Sequence, residues 1–376
     1  MIQLQGNPTL NTSWIIQNNT TNIGFRKSAF GQGKWIVIAA SGVSTSAQFI
    51  TSTDNGTTWL PGSGGNAFYD ADISTGTYNQ YTDIAYGNNR WVVVGQSGSF
   101  LTRICSSPDG VTWTKRDTSG GQLPPSNSSK TISFAGVSFD NNQFVAIGSN
   151  TAQSTLFKIF TSPDGDTWTG RPIVLQPTDV SNTDTIASLN SWQDVAYGNG
   201  TWVAVASTAN TKNVIRSTDN GLKWISSYDI SNPSNPVDTM SSRTWERIVY
   251  ANGQFVAVSS KAGTDCIATS PDGIVWTLRT APTAGNLYSI GYGDGKFIAA
   301  SFEGTGFNGQ RTIISSDGIN WQTLNNPVDN QFYGVNYANG IWILNSNNGT
   351  NNRIMTLGYT SSQGALIPIK KRRRNV

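Results

Sequence analysis

Histidine is absent from the 376-residue chain, which removes the side chain that most often serves as a general base or a zinc ligand. Only two cysteines are present, Cys105 and Cys266. They lie in different copies of a sequence repeat, so we predict no disulfide between them and expect both to be small buried hydrophobic residues. The sequence therefore predicts neither a bound metal nor a cofactor.

Charged residues are also few, at 12% of the chain, and the net charge is only +3. Lys370 to Arg374 supply five positive charges, which leaves the rest of the chain near −2. The body of the protein therefore lacks the charge of a nucleic-acid-binding surface. No window approaches 18 uninterrupted apolar residues, so no membrane span is expected. Residues 1–8 lack a basic segment followed by an apolar core, so no signal peptide is expected.

A turn motif recurs along the chain. Its first copy is Ser52-Thr53-Asp54-Asn55-Gly56-Thr57-Thr58-Trp59, and it returns five more times, at 107–113, 162–168, 217–224, 270–276 and 315–321. Asp accepts hydrogen bonds from nearby backbone N–H groups, Gly supplies a positive φ, and Trp opens the next strand. One carboxylate per copy argues against a metal site. We predict structural turns around Asp54, Asp109, Asp164, Asp219, Asp272 and Asp317.

A second element precedes each turn motif. It reads aromatic, small or Asp, Asn or Asp, Gly or Asn, any residue, aromatic, then branched apolar residues, as in Tyr197 to Val205. Its Asn-Gly centre is a strong hairpin signal. The second aromatic occurs seven times, at intervals of 42 to 58 residues. Four-stranded antiparallel units of this length are typical of propeller blades. The sequence predicts an all-β fold, a seven-bladed β-propeller of four-stranded antiparallel blades.

The last repeat has no turn motif and no Trp strand of its own. The segment Thr12 to Ile16 matches the fourth-strand pattern of Val111 to Thr114. We therefore predict that the N-terminal strand closes the last blade by pairing with Arg353 to Leu357, which removes an open sheet edge. The propeller domain accordingly spans residues 1–358.

Residues 359–376 form a second region, a linker followed by a basic tail. Residues 360–364 have a linker composition, residues 365–369 are apolar, and the basic run follows. Two interpretations remain open: a solvated end, or an arm that docks into another virion or surface protein. A protein partner is favoured over nucleic acid, because the run stands on a body of nearly neutral charge.

The turn motif resembles that of the Asp-box (BNR) repeat β-propellers of the sialidase-like superfamily, Ser/Thr-x-Asp-x-Gly-x-Thr-Trp. Residues 52–59 match it in full, and 217–224 match except at Lys223. The other four copies are one residue shorter. The resemblance covers about residues 10–358 and implies the propeller fold. It does not imply one function, because the family includes sialidases, xyloglucan-cleaving enzymes, sorting receptors, assembly factors and phage or bacterial surface proteins.

A catalytic sialidase, by the same resemblance, needs three converging arginines, a Tyr–Glu pair and an Asp acid/base. The segment Phe25-Arg26-Lys27-Ser28 lacks the expected Ile-Pro, and aligned first strands place two arginines near the channel. Asp83 and Asp194 could do acid/base work if close together; the alternative is that such polar groups line a wet channel. The candidate binding residues at the channel mouth are Arg26, Asp83, Gln193, Asp194, Glu246, Arg247, Tyr288 and Tyr333.

Alternating strand directions sort the connections between two faces. The Asn-Gly turns and the Asp turns should share one face, and the long irregular connections should share the other. Variable loops on a rigid scaffold often carry function. The sequence thus favours a non-enzymatic structural, receptor-binding or glycan-binding propeller of a phage virion or an extracellular surface. A sialidase-like glycoside hydrolase is the alternative.

Overall fold

The computed structural model describes residues 14–17, 23–40, 48–62, 79–97, 103–116, 132–150, 158–174, 191–207, 213–226, 240, 243–283, 285–302, 310–349 and 352–358. These residues form seven antiparallel sheets of four strands, one of which gains a fifth strand. Innermost strands of successive sheets contact one another, and the last contacts the first. The predicted seven-bladed propeller is confirmed.

Each blade is one sheet, and its strands are numbered in chain order. Blades 1 to 3 contain β2 Phe25–Gly31, β3 Lys34–Ala39, β4 Phe49–Ser52 and β5 Leu60–Gly62; β6 Asn79–Gly87, β7 Arg90–Ser97, β8 Arg103–Ser107 and β9 Thr114–Lys115; β10 Ile132–Asp140, β11 Gln143–Asn150, β12 Ile159–Ser162 and β13 Thr169–Arg171.

The remaining blades follow the same order. Blades 4 to 7 contain β14 Ile173–Val174, β15 Trp192–Gly198, β16 Thr201–Ala206, β17 Val214–Ser217 and β18 Trp224–Ser226; β19 Trp245–Ala251, β20 Gln254–Ser259, β21 Ile267–Ser270 and β22 Thr277–Arg279; β23 Leu287–Gly293, β24 Lys296–Ser301, β25 Thr312–Ser315 and β26 Gln322–Leu324; β27 Phe332–Ala338, β28 Ile341–Ser346, β29 Ile354–Gly358 and β1 Ile15–Gln17.

The core lies between the blades. Second strands such as β16 are buried on both faces after their first residue, because a neighbouring sheet covers each face. Aromatic residues supply much of this packing, and Trp35, Trp91, Trp202 and Trp342 are fully buried. The runs of branched apolar residues that the sequence places after each second aromatic are therefore interblade core.

The small residue after each first aromatic also has a packing role. Gly198 follows Tyr197, and a Cβ atom built on Gly198 would lie 1.9 Å from Cγ of Tyr250 in the next blade. The same conflict arises between Gly31 and Tyr86. Glycine at these positions lets the ring of the next blade lie directly on the backbone.

The turn motif folds as predicted. In all six copies the Ser hydroxyl donates to the Asp carboxylate and accepts the Gly N–H, as between Ser162, Asp164 and Gly165 at 2.8 to 2.9 Å. The Asp oxygen also accepts the N–H of the residue before Trp, 2.8 Å for Thr167. These closed networks give the six Asp residues a structural role.

The predicted closure is confirmed by β1, which pairs antiparallel with β29. Ile15 lies opposite Thr356, and Gln17 Nε2 donates to Thr356 Oγ1 at 2.7 Å. Blade 3 has the same bond, from Arg171 to Thr161 Oγ1. Arg171 lies three residues after a Trp, as Gln17 does. Thr12 and Ser13 lie outside the described residues.

One strand was not predicted. The chain leaves blade 3 and adds β14 to the outer edge of blade 4, parallel to β18. Trp224 N–H donates to the Pro172 carbonyl at 3.1 Å beside this pairing. Blade 4 therefore has five strands, and the added one covers the outer edge of β18.

Three further predictions can be placed. Both cysteines are buried as predicted and neither is in a disulfide, and burial raises the pKa of Cys266 to about 12. No helix among the described residues is long and apolar enough to cross a membrane. The tail, residues 359–376, lies outside the described residues, so its docking role stays a prediction.

Candidate functional site

Every innermost strand carries a β-bulge at the same place. In blade 1 the register with β3 shifts between Phe25 and Lys27, which leaves Arg26 as the extra residue. A bulge re-aims a side chain, and such irregularities are frequent beside functional sites. The seven bulged residues are Arg26, Thr82, Ala135, Gln193, Glu246, Tyr288 and Tyr333.

All seven bulged residues line one cavity of about 230 Å³ at one end of the central channel. We call it the loop-face pocket. It lies near the first residues of the innermost strands, where connections from the preceding blade arrive, and we call this side of the ring the loop face. The same bulge in every blade thus places seven side chains, one from each blade, around one pocket.

One wall of the loop-face pocket is aromatic. Tyr288 lies 4.9 Å from Phe302 and 6.0 Å from Tyr333 between ring centroids, and Phe302 lies 4.3 Å from Tyr333. Tyr288 lies in β23 and Tyr333 in β27, and both line the pocket; Phe302 follows β24 and packs against both rings. Aromatic faces of this kind offer a stacking surface to apolar ring faces of a ligand.

The same pocket carries two guanidinium groups, those of Arg26 and Arg247. The Arg26 guanidinium lies 5.4 Å from the Tyr333 ring centroid, and burial lowers its pKa. Arg247 donates from Nη1 to the Glu246 carbonyl at 2.6 Å, and its buried Nε has no hydrogen-bond partner. The pocket therefore keeps cationic donors available beside an aromatic surface, a combination that suits a ligand with an acidic group.

Glu246 is the carboxyl group of this pocket. It is buried, which raises its pKa, and it accepts a 2.7 Å hydrogen bond from Ser260 Oγ. The nearby cations Arg247 and Arg26 oppose that shift. A carboxyl group with these neighbours can accept a hydrogen bond when ionised or donate one when protonated.

Asp83 and Asp194 do not line the loop-face pocket. They stand one residue after the bulge and line a second cavity of about 340 Å³, the turn-face cavity. Asp194 accepts the N–H of Val195 at 3.0 Å and that of Ile248, in the next blade, at 3.0 Å. Burial raises the pKa of Asp194. Asp83 makes the equivalent bonds to Ile84 and Val137.

These bonds join neighbouring blades. In blade 6, Ser289 occupies the same place as the two aspartates, and its Oγ accepts the Val335 N–H at 2.9 Å. Asp83 and Asp194 are thus held as interblade acceptors rather than presented together as a catalytic pair. The structure brings six of the eight predicted residues into one pocket: Arg26, Gln193, Glu246, Arg247, Tyr288 and Tyr333.

Sequence reasoning missed Phe302 and Ser260. Both follow a second strand, whereas the prediction compared only first strands. Their signal is weak in the sequence, because each stands where the repeat pattern ends and the connections begin. It also missed the bulge itself, which explains why positions four residues before the first aromatic face the channel.

The opposite side of the ring is the turn face. Gln32 Nε2 in the first hairpin turn donates to Pro108 O in the next blade's Asp turn at 2.8 Å, and Asn88 Nδ2 donates to Pro163 O at 3.0 Å. Asn339 and Asn55 join blade 7 to blade 1 in the same manner. Hairpin turns and Asp turns therefore share one face, as predicted.

In the part of the chain that the structure describes, no group of three or more His, Cys, Asp or Glu side chains is placed to hold a metal ion. The loop-face pocket instead contains hydrogen-bond donors, aromatic rings and one carboxyl group. Its chemistry suits recognition of an organic ligand.

Comparisons with known proteins support the fold. No family model matches the chain, and no curated protein matches it. Among solved structures, it is similar to YCF48 bound to D1 peptide, at 14% identity and a TM-score of 0.58, over 96% of this chain and 98% of that one.

Two enzymes share the same architecture. A catalytically inactive virginiamycin B lyase from Staphylococcus aureus with quinupristin has 11% identity and a TM-score of 0.61, over 92% of this chain and 99% of that one. A GH74 enzyme from Niastella koreensis has 14% identity and a TM-score of 0.59, over 91% of this chain and 53% of that one. These neighbours include enzymes and a peptide-bound protein, so the likeness shows the propeller fold alone.

Proposed function

We propose that this chain is a non-enzymatic binding propeller of a virion, at a phage tail or surface, or of another extracellular surface. Its loop-face pocket binds a cell-surface glycan that carries an acidic group. The observation that carries the proposal is the convergence of seven bulged residues on one pocket.

The composition of the pocket supports an acidic sugar. The rings of Tyr288 and Tyr333, which pack against Phe302, provide a surface for the apolar face of a sugar ring. Arg26 and Arg247 stand beside it as cations. Guanidinium groups bind carboxylates through charge-assisted hydrogen bonds, which are about twice as strong as neutral ones.

The polarity of the ring supports presentation from a surface. The described chain enters at Trp14 and leaves at Gly358, and a Cβ built on Gly358 would meet the Gly340 carbonyl of the last hairpin turn at 3.8 Å. Both ends therefore meet the ring at the turn face. Attachment through the tail, by docking into another virion protein, would leave the loop-face pocket directed outward.

Binding to immobilised acidic and neutral glycans tests this function. We expect binding to an acidic glycan, and a loss of about tenfold or more in affinity for Arg26→Gln, because one hydrogen bond to a charged group is worth about 1.5–3 kcal/mol. Arg171→Gln, on an outer strand, is the matched control and should bind as wild type. Equal binding of acidic and neutral glycans, or an unaffected Arg26 variant, would contradict the proposal.

A sialidase-like glycoside hydrolase is the second candidate. The raised pKa of Glu246, beside two tyrosines and two arginines, is the observation that favours it. Turnover of a panel of fluorogenic glycosides decides between the two. We expect none; turnover abolished by Glu246→Gln, Asp83→Asn or Asp194→Asn would establish the enzyme instead.

A further inference from the structure

The turn-face cavity is separate from the pocket assigned above, and it contains one amine. Its volume is about 340 Å³, and its lining includes Lys27, Asp83 and Asp194 at the inner end. Half-buried tyrosines Tyr197, Tyr250 and Tyr292 line it toward the turn face. The cavity is large enough for a small organic molecule of several non-hydrogen atoms.

Lysine is an unusual residue at the repeat position that Lys27 occupies. The equivalent positions in the other six blades hold Asp83, Gly136, Asp194, Arg247, Ser289 and Gly334. Among the described residues, no hydrogen bond or ion pair joins the Lys27 ammonium to another group. A lysine in a channel wall with no such partner has its nitrogen available to a molecule in the cavity.

The surroundings also weaken the charged form of that amine. Burial and the nearby Arg247 lower the pKa of Lys27 to about 8, although Asp83 and Asp194 act in the opposite direction. At pH 7.5 about a quarter of such amines are neutral, against well under about 1% for an ordinary exposed lysine. Lysines activated in this way by desolvation and a neighbouring cation attack carbonyl groups.

We propose that Lys27 is a carbonyl-capturing amine, and that the turn-face cavity takes a small hydroxylated aldehyde or ketone as a reversible imine. The polar lining, which includes Ser28, Ser138 and Asn336, suits the hydroxyl groups of such a ligand. Asp194 stands in the same cavity as a half-buried carboxyl group, and burial raises its pKa.

The reaction requires no oxidant or reductant. The Lys27 nitrogen lone pair attacks the carbonyl carbon, and the carbonyl oxygen takes a proton from Asp194 as the carbinolamine forms. The nitrogen returns a proton to Asp194, which passes it to the hydroxyl as water leaves and the C=N bond forms. Loss of the remaining N–H proton to Asp194 gives the neutral imine and restores the acid. The balance is one amine and one carbonyl compound giving one imine and one water, with Asp194 acting as a proton carrier.

Reductive trapping of the full chain tests the proposal. Glyceraldehyde with cyanoborohydride should add one reduced adduct, the mass of the aldehyde less one oxygen, and peptide mapping should place it on Lys27 at least about tenfold faster than on the exposed Lys223 at pH 7.5. Lys27→Arg keeps the cation and should abolish this fast adduct, whereas Lys223→Arg should retain it. Circular dichroism confirms that each variant is folded. Equal rates at both lysines, or labelling of Lys27 only after unfolding, would overturn the proposal.

Two further measurements examine the chemistry. The trapping rate should rise between about pH 6 and pH 9 as the amine loses its proton. The charged groups that share its surroundings are Arg26, Asp83, Asp140, Asp194 and Arg247. Asp194→Asn should slow imine formation but leave acylation of Lys27 by acetic anhydride within about twofold, because acylation needs no acid. An equal loss in both reactions would remove Asp194 from the mechanism.

Discussion

The two ends of the channel are built from the same seven strands but follow different rules. At the turn face the sequence repeats: an aromatic residue packs on the second-strand aromatic in every blade, with centroids 4.5 to 5.2 Å apart. At the loop face the seven bulged residues are of six different types. Residues that repeat from blade to blade therefore build the scaffold, and the positions that vary between blades form the candidate site.

The two ends also differ in what they contribute to stability. The Asp turns hold carboxylates that gain hydrogen bonds on folding, whereas Glu246 loses water on folding and its pKa rises. The first arrangement stabilises the ionised folded state, and the second opposes it. The Asp turns therefore raise the free energy of unfolding, whereas the buried Glu246 of the loop-face pocket lowers it.

The largest expected effect comes from breaking the closure. Removing residues 1–20 eliminates β1 and buried Trp14 and exposes the edge of β29, so we expect aggregation or a fall of more than about 10 °C in Tm. Removing residues 1–10 is the control and should leave Tm nearly unchanged. A monomeric truncation of 1–20 with the wild-type Tm would show that the ring does not need the strand.

The next effect separates two glycines of one hairpin. Gly198→Ala places a Cβ 1.9 Å from Tyr250, and we expect a loss of about 1–3 kcal/mol in the free energy of unfolding. A Cβ on Gly200 would meet no neighbouring atom within 4 Å. Gly200→Ala should therefore lower the free energy of unfolding by about 1 kcal/mol, only because alanine disfavours a φ of 75°. Urea unfolding measures both; equal losses would mean that the ring packing on Gly198 adds nothing.

A third prediction contrasts the carboxyl groups by pH. Backbone hydrogen bonding from Thr112 lowers the pKa of Asp109 to about 2, so its contribution is present above the unfolded pKa near about 4 and is lost as pH falls toward 2. Glu246 has the opposite sign: its raised pKa favours folding at low pH, and that advantage is lost as pH rises through the folded pKa.

Variants make this contrast measurable. Asp109→Ala should lower the free energy of unfolding at pH 7 by about 1 kcal/mol and flatten the loss of stability between about pH 4 and 2. Glu246→Gln should raise stability at pH 7 by about 1 kcal/mol or less. Thermal unfolding across pH gives both values, and a destabilised Glu246 variant would refute the idea that the pocket lowers stability.

The smallest effect on the ring should follow removal of the tail. Deleting residues 364–376 should change Tm by less than about 1 °C, because five consecutive cations have no place in a propeller core. Incorporation into the virion should nevertheless fall, since the tail is the proposed docking arm. A truncated protein that is incorporated normally would leave the tail as a solvated end.

The sequence predicted the blade count, the closure and the Asp turns, because each rests on local rules repeated along the chain. In blade 4, for example, the second aromatic of the repeat, Trp202, lies in β16, and Trp224 of the turn motif opens β18. The fifth strand of blade 4 was not foreseen, since Ile173 and Val174 follow no repeat and pair only because they pass β18.

The site was predicted in part for the same reason. Aligning first strands found the bulged positions without knowing that they bulge, and so grouped Asp83 and Asp194 with them. A shift of one residue along a strand changes the direction of the side chain. Interblade hydrogen bonds to Val137 and Ile248, which no linear pattern announces, explain the two aspartates.

The closure has a mechanical consequence. Among the described residues, β1 and β29 share three antiparallel residue pairs, and the chain enters β1 and leaves β29 on the side of the Ile15–Thr356 pair. Force applied between the two ends would separate these residue pairs one after another, starting at Ile15–Thr356, rather than all at once. Force transmitted through the segment after Gly358 alone would not load these pairs in that way. A particle that holds the propeller by its tail could therefore pull on it without separating β1 from β29.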